Sequence, residues 1–302
     1  MFGFFKKKKT EDKKAAGTMG TLAVGCGGGG CNMVNRLGKI SDVDILTVNT
    51  DRKGLIRSRS NRRILLGDGS LEAGCNGNVE LGASLAKDAS GMIGEHVGRY
   101  LNVVILVGLG GGTGTGSVSV IADIAKRKGS RTAVLASIPM SFESERRNVA
   151  AEALDGIMKS TDILVVMDGD RLIEIDPMLG MREALSVLDQ MMCESFLDLT
   201  EILEKDDPGS LYGTMKGKMF TVSFAEGMNA EKVADTLVNG LMMNSEVISD
   251  PIIFVRGNIP EDHETLISEK VAESTGYDPV FIRGPSGHGM NLVMFAPIRR
   301  PS

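Results

Sequence analysis

Two glycine-rich stretches carry the residue types that could hold a chain of phosphates. In Val103–Ser117, VVILVGLGGGTGTGS, an unbroken apolar run from Val103 to Val107 leads into Gly108, Gly110, Gly111, Gly112, Thr113, Gly114, Thr115 and Gly116, interrupted only by Leu109. Val118, Ile121, Ala122 and Ala125 then recur at helical spacing as far as Gly129. Strand, glycine loop and helix turn backbone N–H groups and a helix N-terminus toward an anion. A flexible glycine turn is the plain alternative, but such turns seldom run this long between two well-formed elements. Upstream, GCGGGGCN follows the strand-like Thr21–Val24, and Gly25, Gly27 and Gly30 satisfy GxGxxG with Asp51 about twenty residues on. That fingerprint also suits a nicotinamide-dependent oxidoreductase, in which the second glycine loop would have no task.

The elements that must position these loops alternate. Strands are expected at Thr21–Val24, Asp44–Val48, Val103–Val107, Ala133–Ile138 and Asp162–Met167, with a short apolar run at Ile64–Leu66. Helices are expected at about Asn32–Lys39, Ala83–Tyr100, after the second glycine loop, and from about Glu143 to Lys159. Such alternation predicts an α/β fold with a mostly parallel, Rossmann-like nucleotide-binding sheet, whose ligands sit at the carboxyl ends of the strands. A long helical pattern from about Met178 to Glu204 follows. Beyond Asp207 strands at Lys218–Ser223, Pro251–Val255, Val280–Arg283 and Met290–Ala296 mix with helices at Asn229–Met243 and Glu261–Ser274. The expected organisation is a tail at 1–17, a nucleotide-binding domain at 18–180, a central helix with an acidic loop at 181–207, and a smaller α+β domain at 208–302.

The 302 residues are 42% hydrophobic and 24% charged, an ordinary globular composition. No apolar run reaches transmembrane length and no signal peptide is visible, so a cytoplasmic setting is expected. Cys26, Cys31, Cys75 and Cys193 are too few and too irregular for a disulfide framework, and no zinc or other metal site is expected from them. The net charge is −5, yet residues 1–17 hold six lysines against Glu11 and Asp12. The remainder is therefore more acidic than the whole, which argues against nucleic acid as a partner. MFGFFKKKK at residues 1–9 places aromatics beside a basic cluster. It reads as a solubilising tail or as a weak anchor to an anionic membrane surface that many copies would strengthen.

Taken together, the loops resemble the FtsZ/tubulin family of filament-forming GTPases, on the FtsZ side, over about Thr18 to Pro297. GLGGGTGTGS is similar to the family's signature phosphate loop, and VGCGGGGCNMVNRL resembles its first loop. Asn49–Asp51 resembles the second, AGCN at Ala73–Asn76 the third, and PMSFESERR the family's PFxFEGxxR. The resemblance implies GTP or GDP as ligand, with Mg2+ as companion. Gly27, Gly28, Gly29 and Asn32 would lie at the α/β-phosphates, and Gly110, Gly111, Gly112, Thr113 and Gly114 around the β/γ-phosphates. Asp51 and the loop Ala73, Gly74, Cys75 and Asn76 complete the nucleotide set, with Glu143 and Arg147 near the ribose. It also implies self-association head to tail into filaments, a contact that does not close.

Three departures from the family pattern stand out. The sixth loop, PND in the family, corresponds to Asp168, Gly169 and Asp170, and the stacking Phe and base-reading Asp correspond to Arg182 and Ser186. Arg182 could stack on a base and Asp168 could accept guanine N–H groups. The seventh loop, which activates water on the neighbouring subunit's nucleotide, is replaced by ILEKDD, with Glu204 and Asp207 at the acidic positions. An acidic pair there could orient water; a solvated helix end is the plainer reading. The chain ends at Ser302, without the long linker and terminal peptide of typical FtsZ. The function expected is a GTP-binding, filament-forming cytoskeletal protein with weak or absent hydrolysis, the alternative being an active self-assembling GTPase in division or membrane remodelling.

Overall fold

The computed structural model describes residues 19–71, 74–205, 211–284 and 289–300. The tail, Ala73 and Asp207 lie outside them. Two compact units emerge: residues up to Asp162 together with Asp189–Cys193, and Ile163–Leu188 together with Glu194 onward.

The first unit alternates strictly. It runs β1 (Met19–Cys26), α1 (Gly27–Ile40), β2 (Asp44–Asn49), α2 (Arg52–Arg57), β3 (Arg62–Leu65), α3 (Val79–Asp88), α4 (Ser90–Val97), β4 (Tyr100–Gly108), α5 (Gly112–Arg127), β5 (Arg131–Ile138) and α6 (Ser144–Ser160). Its strands lie in the order β3-β2-β1-β4-β5, every neighbouring pair parallel. The carboxyl ends of β1 and β4 stand side by side, with Cys26 in register with Val107. Val103, Val104, Ile105, Leu106 and Val107 are all 0% exposed, as a strand covered by helices on both faces must be. Burying each such side chain contributes roughly 1.5–3 kcal/mol. The α/β parallel-sheet fold expected from the alternation is the fold observed.

Local details correct the sequence reading. The single helix expected over Ala83–Tyr100 is two. Asn78 caps α3 by accepting from Leu81 N at 2.8 Å, so the helix starts at Val79. Ala89, at ψ 7°, ends it, and α4 then buries Ile93, Gly94 and Val97, Gly94 facing Ile124 of α5. Tyr100 already belongs to β4, buried, with its hydroxyl donating to Asp44 Oδ2 at 3.0 Å. The basic stretch after Asp51 contains a helix, α2, and an edge strand, β3, that starts at Arg62 rather than Ile64.

The second unit holds β6 (Ile163–Asp168), α7 (Gly169–Ile175), α8 (Met181–Lys205), α9 (Leu211–Met215), β7 (Lys218–Gly227), α10 (Ala230–Asn239), β8 (Ile252–Gly257), α11 (Glu261–Thr275), β9 (Val280–Arg283) and β10 (Met290–Pro297). α8 lends its middle, Asp189–Cys193, to the first unit. The strand order β6-β7-β10-β8-β9 mixes parallel and antiparallel pairs. Its core gathers Leu237, Ile253, Val255, Ile267 and Leu292. The helix expected over Asn229–Met243 ends at Asn239. Met242 instead donates to Val222 O and accepts from Asp168 N, bonds that a continued helix would forbid. Within α8 and this sheet, buried Asp198 is ion-paired with Arg256 at 2.5 Å. Burial pushes the Asp198 carboxyl up to about 7 against the pull of Arg256. Among the described residues no helix is long and apolar enough to cross a membrane.

Candidate functional site

The site begins with two helix N-termini that, like those of α4, α6 and α11, make no side-chain cap hydrogen bond among the described residues. α1 starts after Cys26 and α5 after Gly111, neither with a side-chain cap and neither with an acidic residue in its first turn. α2, α3, α7 and α10, by contrast, are capped by Asp51, Asn78, Asp168 and Asn229. An uncapped N-terminus leaves N–H donors and a positive dipole end to be met by an external acceptor. The two termini are held together by glycine. A Cβ on Gly27 (φ +68°) would stand 2.7 Å from Gly114 N, and one on Gly112 would stand 2.6 Å from Asn78 N. Gly28 and Gly111 have nothing within 4 Å of a Cβ. Glycine thus serves two ends here: backbone packing at Gly27 and Gly112, open approach at Gly28 and Gly111.

Thr113 ties the surrounding loops to α5. Its hydroxyl is 2.6 Å from that of Thr50 and accepts from Cys75 N at 3.5 Å, while Thr115 Oγ1 accepts from Gly110 N at 2.9 Å. The loops enclose a cavity of about 530 Å3. It is lined by Gly28, Gly29, Asp51, Gly74, Cys75, Asn76, Gly110, Gly111, Gly112, Thr113 and Gly114, all assigned to the nucleotide from the sequence, by Asn49, Gly108 and Arg146, which belong to the quoted motifs without such an assignment, and by Gly77, which the sequence did not single out. Asn76 is the one non-glycine residue of positive φ (44°) among those described, a conformation that asparagine tolerates best. Burial pushes the thiols of Cys26 and Cys31 up to about 12, so both behave as small apolar residues around the cradle.

A second cavity, about 440 Å3, opens along the next turns of the same helix. It is lined by Asn32, Asn35, Arg36, Lys39 and Ile40 of α1 and by Asp189 of α8. Burial pushes the Asp189 carboxyl up to about 6, with Arg36 drawing it back down. Arg36 also donates to Gln190 Oε1 at 3.2 Å, and Cys193 Sγ to Met33 O at 3.3 Å, which fastens this stretch of α8 to α1. Asp189 was missed in the sequence because it sits among the polar residues of a long amphipathic helix. Its proximity to Arg36 is a tertiary fact.

The remaining predicted residues fall as follows. Asn32 faces the second cavity rather than lining the first. Glu143 precedes α6 and is ion-paired with Arg146; Arg147 donates to Pro139 O at 2.8 Å. Asp168 is buried and caps α7 through Asp170 N at 3.1 Å. Arg182 and Ser186 are exposed on the first turns of α8, in the second unit. Glu204 is exposed near the end of α8. Among the described residues no group of three or more His, Cys, Asp or Glu could hold a metal ion.

A parallel α/β sheet that aims two glycine-led, uncapped helix N-termini into one cavity defines a class of fold built to cradle an anion. Residues 21–177 match the model of the tubulin/FtsZ family GTPase domain, and the chain belongs to that family. Cell division protein FtsZ 1 of Thermococcus kodakarensis is 36% identical over 186 residues, 60% of this chain and 50% of that protein. The chain thus spans about half the length of the curated relatives it matches. An FtsZ dimer from M. jannaschii superposes with a TM-score of 0.79 at 24% identity, over 94% of this chain and 89% of that one. CetZ2 from Haloferax volcanii, solved as a GTPγS-bound protofilament, gives 0.80 at 20% identity over 94% and 95%. At these identities the structural likeness speaks for the fold.

Proposed function

We propose that the chain binds a guanine nucleotide across the two cavities and assembles head to tail into filaments, hydrolysing GTP weakly or not at all. The observation that carries this reading is the convergence of the uncapped N-termini of α1 and α5 on one cavity. The phosphates would take the N–H groups of Gly28, Gly29 and Gly110–Gly114, and the base would lie along α1 in the second cavity. There the ionised Asp189 carboxylate, two acceptor oxygens and no donor, suits the N1–H and N2–H2 donors of guanine and not the edge of adenine. Mg2+ would arrive with the phosphates, since no cluster among the described residues would hold it alone.

Hydrolysis needs a group that orients water. Among the described residues Asp51 is the only carboxylate lining the first cavity, and one of its oxygens accepts from Lys53 N at 2.8 Å to cap α2. A water-orienting carboxylate would therefore come from another copy, which agrees with head-to-tail assembly and leaves turnover tied to polymer. Glu204 and Asp207 remain the residues proposed for that role. The test combines electron microscopy with phosphate release at rising protein concentration. Filaments with GTP and little release support the reading. A monomer in every nucleotide state contradicts it.

A further inference from the structure

Arg146 is the one cationic side chain lining the first cavity among the described residues. It sits in the first turn of α6, where a cation meets the unfavourable end of the helix dipole. Its main chain is fixed against the glycine loop: Gly110 takes φ +88°, and a Cβ there would stand 2.5 Å from Arg146 O. The next residue, Arg147, has its guanidinium on the Pro139 carbonyl, so that arginine holds the corner between β5 and α6. Arg146, in contrast, has its side chain 53% exposed and is paired with Glu143, three residues back. A pair this exposed is weak and readily exchanged, whereas a guanidinium grips phosphate bidentately.

We propose that Arg146 is the exchangeable cation of this site: it leaves Glu143 for the phosphate chain when nucleotide enters, and Glu143 holds it at the cavity in the meantime. The proposal rests on the nucleotide-binding reading above. It assigns the phosphate-gripping task to Arg146 rather than Arg147, and makes Glu143 a competitor of the phosphate. Charge supports it. A nucleoside diphosphate brings several negative charges into a cavity whose other charged lining residue, among those described, is Asp51, so helix termini and the Arg146 guanidinium are what these residues offer it.

The experiment titrates guanosine, GDP and GTP, with Mg2+, into the wild type and the variants Arg146→Ala, Arg146→Lys, Glu143→Gln and the double Arg146→Ala/Glu143→Gln. Arg146→Ala is expected to lose about tenfold or more in affinity for GDP and GTP, as for a lost charge-assisted pair, and none for guanosine. Arg146→Lys should recover part of that loss. Glu143→Gln should tighten GDP severalfold, and the double variant should behave as Arg146→Ala does. Wild-type affinities for GDP and GTP in Arg146→Ala, or an equal loss for guanosine, would overturn the proposal. A wild type that binds none of the three overturns the nucleotide reading itself, an outcome distinct from the others.

Discussion

Gly27 and Gly114 lie backbone to backbone: a Cβ added to Gly27 would stand 2.7 Å from the Gly114 nitrogen, closer than a Cβ can come. Gly27 opens α1 and Gly114 lies in the first turn of α5, and their contact sets both helix N-termini at one cavity. Everything proposed about the ligand depends on it.

Gly27→Ala should therefore fail for structural reasons. A left-handed φ and a backbone collision together are expected to cost at least about 2 kcal/mol, read by denaturant unfolding. Gly28→Ala is the contrasting variant. Nothing lies within 4 Å of its added methyl, so stability should hold or rise by up to about 1 kcal/mol from helix propensity, while nucleotide affinity falls. Equal loss of stability in both variants would contradict the division of roles.

Asp189 supplies a pH prediction. Its folded-state pKa is raised by burial to about 6, so the empty protein holds that proton more tightly than the unfolded chain does. This group accordingly adds stability as pH falls from about 6 toward 4, and that stability is lost as pH rises through 6. Guanine needs the ionised carboxylate, so GDP affinity should change the opposite way, holding at pH 7–8 and weakening below about 6. Asp189→Asn, with one acceptor and one donor, should shift preference from GDP toward the xanthine diphosphate, whose 2-oxo group accepts. Calorimetric titrations across pH with both nucleotides test each point.

In the second unit, Arg256 holds the carboxylate of Asp198 inside the core. Arg256→Met should cost about 3–5 kcal/mol by stranding that group, and adding Asp198→Asn should recover much of the loss. Unfolding curves of the three variants give the coupling, and additive losses would count against a buried pair.

The thiols of Cys26 and Cys31, pushed up to about 12, should resist iodoacetamide at pH 8 in the folded protein and react once it is unfolded. Peptide mapping by mass spectrometry distinguishes the two states.

How far the sequence carries is a matter of range. β4 and its loop were legible because Val103–Val107 and the glycines that follow are local signals. The break at Ala89 was not, since apolar spacing continues through Ile93 and Val97 and only their packing separates α3 from α4. β3 was masked by Arg62 and Arg63, which an edge strand can carry at its exposed positions. Which glycines pack and which stay open follows from what lies across the loop. Arg146 and Arg147 are adjacent and alike in sequence; one helical step decides which lines the cavity and which bonds Pro139.

One guanine nucleotide lying across both cavities would bind with a stoichiometry and a base preference that can be read in solution. Isothermal titration of GDP and ADP into nucleotide-free protein tests it most directly. One GDP per chain, weak or no ADP binding, and a marked loss of GDP affinity in both Gly28→Ala and Asp189→Asn are expected. No GDP binding, or binding that neither substitution alters, would contradict it.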